Sequence, residues 1–278
     1  MVFSCTINAP VSFDGIGVHS GKRSVVSVMP LVDCDRKIIF VNNQKEVDAT
    51  FESVSDTSMC TNLSGFSTIE HLCAALYGLK ITNALIKVDG DEIPILDGSA
   101  LQFAEAFLNV GTRVLSTKTK KLKILKEVKV EDADRWTTLR PSDTFSINVE
   151  CDFAAKGLKI RNFSFDFLRN DFLKEIAPAR TFGFISDIEF CRKHNLALGA
   201  SLENTVVFDD NGVPLNENYL RFPDEPIRHK VLDIIGDLSL AQSEILGRFD
   251  SFCPSHKMNN MILRKLFEEK NNYEFIES

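Results

Sequence analysis

The segment Pro226-Ile227-Arg228-His229-Lys230-Val231-Leu232-Asp233-Ile234-Ile235-Gly236-Asp237-Leu238 limits the possible folds more than any other part of the chain. Ile227, Val231, Ile234, Ile235 and Leu238 recur at helical spacing and Pro226 suits a first turn, so the pattern predicts a long helix from Pro226 to about Leu246, stopped by Gly247. Such a helix must pack on a core, yet it carries His229 and Asp233 at i and i+4. The two lie about 6 Å apart along the axis and about 40° apart in rotation. An imidazole and a carboxylate so spaced can converge on one ion, or can simply support a solvated helix face. Asp237 continues the stripe but lies about 12 Å from His229 along the axis, too far to share a metal shell whose bonds are about 2 Å, so a supporting role suits it better.

An imidazole-based site can draw only on His19, His71, His194, His229 and His256. His71 sits in Ser67-Thr68-Ile69-Glu70-His71-Leu72, at the start of a helix predicted over about Thr68–Tyr77. There Ser67 and Glu70 could form an S-x-x-E capping box. Alternatively, the His could ligate a metal while the adjacent Glu takes a proton from water, as in metallohydrolases. H-E-x-x-H is absent, and H-x-x-E-H fails because Ser67 stands at its first position. What remains is a long-range site, with one ligand from the first half, two from the second and a cleft between domains. His256 falls in a predicted loop beyond the long helix, where it could be merely solvated or, beside Asp237, an imidazolium serving an oxyanion or a leaving amine. His19 and His194 have no such company and read as structural or surface residues.

The first half predicts strands at 24–29, 37–41 and 83–89 and a helix at about Leu101–Asn109. The second predicts strands at 122–130, 136–140, 144–153 and 205–208, with helical patterning at 165–175 and 186–194. A polar stretch at Thr117–Thr119 separates the two halves. Strands followed by helices, twice over, imply an α+β fold of two packed layers. A net charge of −7 supplies no general basic field, so no nucleic-acid partner is expected. Seven scattered cysteines, odd in number and never spaced C-x-x-C, argue against a disulfide framework and fit a reducing cytoplasm. MVFSCTINAP lacks the basic start and apolar run of a signal peptide, and no segment has the roughly 18 apolar residues of a membrane span, so no stable membrane insertion is expected. Gly15-Ile16-Gly17 is too short for a dinucleotide fingerprint, and there is no Walker motif and no G-x-S-x-G elbow.

Five ordered blocks carry a resemblance: Gly15–Gly21, Ser67–Leu72, Glu92–Ala100, Ala179–Phe184, and Arg228–Lys230 leading into Leu232–Leu238. Together they resemble the UDP-3-O-acyl-N-acetylglucosamine deacetylases of lipid A biosynthesis. The resemblance implies two α+β domains of similar topology, 1–116 and 120–278, with their helices sandwiched between two sheets. It implies one catalytic zinc per chain on His71, His229 and Asp233, with a position left open for water. Glu70 matches the general base, Thr181 an oxyanion-binding hydroxyl, and His256 an electrostatic or acid partner steadied by Asp237; whether Glu70 or His256 protonates the amine stays open. Lys230, Met59-Cys60-Thr61 and Phe182 match substrate contacts. An insert around Leu196–Ser201 to Val206–Val207 matches an apolar passage for the acyl chain, where each buried methylene contributes about 0.8 kcal/mol. The family's usual Gly-His at the last histidine reads Ser255-His256 here.

The implied function is zinc-dependent removal of acetate from a UDP-linked acylated glucosamine by a cytoplasmic monomer. Its rivals are a same-fold zinc deacetylase acting on another acylated amine and a non-catalytic nucleotide-sugar-lipid binder. The presence of Glu70, His71, His229, Asp233 and His256 together speaks against the binder.

Overall fold

The structure, a computed structural model, describes residues 3–32, 37–158, 162–216 and 220–277. The first part runs β1 (Phe3–Ile7), β2 (Val11–Ile16), β3 (Arg23–Pro30), β4 (Ile38–Val41), β5 (Glu46–Asp48), β6 (Val54–Asp56), β7 (Asn62–Leu63), α1 (Glu70–Gly78), β8 (Ala84–Asp89), α2 (Leu101–Val110) and β9 (Thr112–Lys118). Its main sheet has the order β2-β3-β8-β4-β5, while β1 and β9 form a separate antiparallel pair. Alternation along β3 buries Ser24, Val26 and Val28 on one face. Val26 and Val28 belong to the same core as Phe103, Ala104 and Phe107, the buried residues of α2. Phe13 of β2 meets Phe103 and Phe107 edge-on, with ring centroids 4.7 and 6.1 Å away, which locks sheet to helix.

The chain continues through β10 (Lys120–Ile124), β11 (Val128–Asp132), β12 (Arg135–Pro141), β13 (Phe145–Glu150), β14 (Asn162–Asp166), α3 (Phe172–Glu175), β15 (Phe182–Phe184), α4 (Ile188–Lys193), β16 (Val206–Phe208), α5 (Glu225–Leu238), β17 (Glu244–Phe252), α6 (His256–Glu268) and β18 (Tyr273–Glu277). Seven of these strands form one sheet centred on β17. β17 pairs with β10 through Glu244–Leu246, then with antiparallel β12 and parallel β13 through Gly247–Phe252. The parallel pair β15–β16 stands apart, over a small cluster of Leu158, Val206 and Phe208.

Helices α1, α2, α5 and α6 lie between the two large sheets. α2 packs on β2 and α1, α1 on α5, and α5 and α6 on strands of the second sheet. One continuous core runs through both sheets and this helical layer, so the α+β class expected from pattern and resemblance is the observed one.

Four local expectations need correction. The strand expected over 122–130 is two, β10 and β11, separated by residues 125–127. The long helix ends at Leu238, not near Leu246: a 3-10 turn at Ser239–Ala241 and left-handed Gln242 redirect the chain, and Ile245 is buried as part of a strand. Residues 165–175 are not one helix, because Phe165 lies in β14 and only Phe172–Glu175 is helical, capped by Asp171. His256 is not in a loop but opens α6, where the Ser255 hydroxyl accepts the Met258 N–H.

Candidate active site

Four segments meet at the layer between the sheets: the start of α1, the middle of α5, the start of α6 and the turn before β7. α1 begins at Glu70 without any side-chain cap. Ser67 does not form the capping box that its spacing allowed: its hydroxyl accepts from Asn62 Nδ2, while Glu70 Oε2 accepts the Thr61 N–H at 3.1 Å. Glu70 is therefore turned away from its own helix terminus and into the interior, with 3% of its surface exposed.

One turn of α5 brings His229 Nε2 within 3.3 Å of Asp233 Oδ1, and His71 Nε2 approaches the same oxygen at 3.8 Å from α1. The two imidazoles stand edge to face, with ring centroids 4.9 Å apart. His229 Nδ1 lies 3.0 Å from the Ala179 carbonyl and donates to it, which leaves the Nε2 lone pair facing the carboxylate. Two acceptors at that distance repel unless a cation or proton lies between them. Protonation is opposed by burial, which lowers the His229 pKa and, together with the neighbouring His229, pushes His71 down to about 3. Two neutral imidazoles and a carboxylate, each offering an atom within 4.8 Å of the others, form a donor set that fits zinc. Burial works against ionised Asp233, but the Lys230 ammonium, with the His256 imidazolium adding to it, outweighs burial and holds the carboxyl below its ordinary value. Lys230 Nζ takes the other oxygen, Oδ2, at 3.0 Å and also lies 5.7 Å above the Phe182 ring.

Beside this set lies a second polar cluster. His256 Nδ1 is 2.8 Å from Asp237 Oδ2, and its Nε2 is 3.8 Å from Glu70 Oε1. Asp237 also accepts from the Thr61 hydroxyl and from Asn259 Nδ2. An imidazolium at a helix N-terminus opposes the helix dipole, and burial opposes it further. The Asp237 and Glu70 charges outweigh both and raise His256 to about 9. Burial lifts Glu70 to about 8, against the pull of His256 and with the like charges of Asp237 and Asp233 adding to the effect. The cluster thus holds a carboxyl and an imidazole shifted close to each other, to about 8 and about 9.

The remaining expected contacts flank these two clusters. Thr181 follows the Ala179–Arg180 turn, its N–H bound to Gly98 O at 2.7 Å and its carbonyl to the Val206 N–H at 2.8 Å. Phe182, which opens β15, faces the His229 ring edge-on at 6.3 Å. Met59 is half-exposed in a left-handed conformation, Cys60 is buried with its thiol pKa raised by burial and by Glu70, and Thr61 ties together two members of the second cluster, Glu70 and Asp237.

Sequence reasoning missed three residues here. Glu92 is buried and accepts the N–H groups of His19 and Ser20, both at 2.8 Å, and the Thr68 hydroxyl at 3.1 Å. His19, expected to be structural or at the surface, lies where His256 contributes to lowering its pKa, after burial and against Glu92. Asn259 was hidden by the loop reading; its i+3 spacing from His256 on a helix is the signal that would have exposed it. His194, in contrast, is an exposed residue on Phe190, away from both clusters.

Among known proteins, the family model described as UDP-3-O-acyl N-acetylglycosamine deacetylase matches residues 4–268. The chain is 39% identical to the UDP-3-O-acyl-N-acetylglucosamine deacetylase of Colwellia psychrerythraea, with 99% of this chain and 93% of the relative aligned. It is 41% identical to the protein of the same name from Shewanella oneidensis at the same coverage.

Proposed function

The chain belongs to the UDP-3-O-acyl-N-acetylglycosamine deacetylase family, and on that footing we propose that it hydrolyses the acetamide of UDP-3-O-acyl-N-acetylglucosamine. The products are acetate and UDP-3-O-acyl-glucosamine, in the committed step of lipid A biosynthesis. The observation that carries the reading is the meeting of His71 and His229 on one oxygen of Asp233, next to a Glu70–His256 pair.

In this proposal His71, His229 and Asp233 hold one zinc ion per chain. The chemistry such an ion supplies when bound is Lewis-acid polarisation of a carbonyl and acidification of water. Glu70, fixed through Oε2 by the Thr61 N–H, takes a proton from the water whose oxygen bonds to the acetyl carbon. The Thr181 hydroxyl donates to the carbonyl oxygen as it gains charge, and the His256 imidazolium, steadied by Asp237, adds positive charge on that side. As the C–N bond breaks, Glu70 or His256 returns a proton to the departing amine. Lys230, Phe182 and the Met59-Cys60-Thr61 backbone flank the sugar nucleotide. Apolar side chains left exposed around α4 and β16, including Phe190 and Leu198, both at 55%, support a path there for the acyl chain.

We assign the two domains to 1–116 and 120–278. The support is that the five-stranded sheet is built wholly from the first and the seven-stranded sheet wholly from the second. Among the described residues no helix is long and apolar enough to cross a membrane. The proposal places a monomer in the cytoplasm, acting on a lipid-bearing nucleotide from the aqueous side.

The test is acetate release from UDP-3-O-acyl-N-acetylglucosamine by chelator-stripped protein before and after one equivalent of zinc is restored. Activity that disappears and returns supports substrate, reaction and metal together. Full zinc occupancy with no turnover moves the function to another acylated amine.

A further inference from the structure

At the opposite end of α1 from Glu70 and His71 lies a cavity of about 410 Å³, in the range of small-molecule pockets. Leu76 and Tyr77 of α1, Phe145 of β13 and Leu246 of β17 give it an apolar wall between the two large sheets. The charged groups at its edge are mostly cationic: Lys37, Lys80, Lys120 and Lys121 against Asp143 and Glu244. Lys121 and Glu244 neutralise each other at 2.9 Å. Lys80 and Lys120 are exposed and have no ion-pair partner among the described residues.

Lys37 is the informative member. Its half-buried ammonium donates to the Gln242 carbonyl and reaches Ser243 Oγ at 3.4 Å, with no carboxylate on it among the described residues. Burial without a counter-charge lowers its pKa. A local excess of ammonium groups beside an apolar wall, on a chain of net charge −7, is complementary to an anion that carries its own apolar tail.

We propose that this cavity binds a single-chain aliphatic carboxylate, with its head at Lys37 and Lys80 and its tail along Leu76, Tyr77, Phe145 and Leu246. The site is separate from the candidate active site and from the exposed apolar side chains around α4, and it does not depend on the proposed reaction. Leu168, 75% exposed, lines the same cavity, and the tail packs against it.

The experiment is calorimetric titration of the full chain with dodecanoate. Lys80→Glu and Leu168→Asp change exposed positions and leave the core intact. Wild type should bind, and each variant should weaken binding about five- to tenfold, through charge reversal at the head or a charge set against the tail. Leu108→Asp, at an exposed position of α2 outside the cavity, should bind like wild type. No binding by wild type, or an affinity that either cavity variant leaves unchanged, overturns the proposal. If dodecanoate binding is lost only in Leu198→Asp, the ligand belongs to the insert instead.

Discussion

Gly236 of α5 lies against the backbone of Glu70 so closely that a Cβ added at 236 would stand 2.1 Å from the Glu70 carbonyl oxygen. The contact sets the spacing between the helix that carries His71 and the helix that carries His229 and Asp233. Gly236→Ala must push the helices apart, and overpacking of this kind costs about 1–3 kcal/mol. Urea denaturation should show that loss, and a zinc titration should show weaker binding. An alanine variant with wild-type stability and metal affinity would mean that the spacing is set elsewhere.

Removing Glu70 and removing His229 should fail in different ways. Glu70→Gln is expected to keep one equivalent of zinc, measured by metal analysis after dialysis, while kcat falls about 10²–10⁴-fold. His229→Ala should lose the metal first, and its activity with it. Wild-type turnover by Glu70→Gln would rule out the general-base role.

The His256–Asp237 pair predicts a pH-dependent stability in the metal-free protein. The folded-state pKa of His256, about 9, is above the ordinary imidazole value near 6.5. Its contribution, on the order of a few kcal/mol, is therefore complete below about pH 6.5 and lost as pH rises through about 9. Glu70 and Asp233 face the same imidazole and share in the effect, whereas His19 opposes it. The stability gap between wild type and His256→Gln, from denaturation curves at pH 6 and pH 9.5, should shrink at the higher pH. A constant gap would show that His256 is not held as an imidazolium.

Glu92 should matter for stability before chemistry. It satisfies two backbone N–H groups and the hydroxyl of Thr68, whose φ of 58° is strained for a β-branched residue. Glu92→Ala leaves those groups buried and unpaired and should cost about 1–3 kcal/mol or more in thermal or urea unfolding, with Glu92→Gln recovering part of it. A stable alanine variant would show that water replaces the carboxylate without penalty.

How much of this was legible in the sequence follows from the range of each signal. Periodicity located α5 because Ile227, Val231 and Ile234 are all buried on it, and i, i+4 spacing put His229 beside Asp233. The same periodicity ran past Leu238, because Ile245 and Leu246 look alike in a helix or a strand. Only the left-handed turn at Gln242 distinguishes the two. His71 could be named a candidate from its neighbours, but its approach to Asp233 depends on helix packing across most of the chain. That approach was available only through resemblance. Glu92 carries no local mark at all: it became visible when the turn at His19–Ser20 folded onto it.

During synthesis, Glu70 and His71 leave the ribosome long before His229, Asp233 and His256, which lie on the last two helices. Until α5 has emerged and docked, α1 presents a lone imidazole and a carboxyl with nothing opposite them. β17, the strand around which the larger sheet is built, arrives later still. A chain that stops short of α5 therefore lacks His229 and Asp233, and one that stops short of α6 lacks His256.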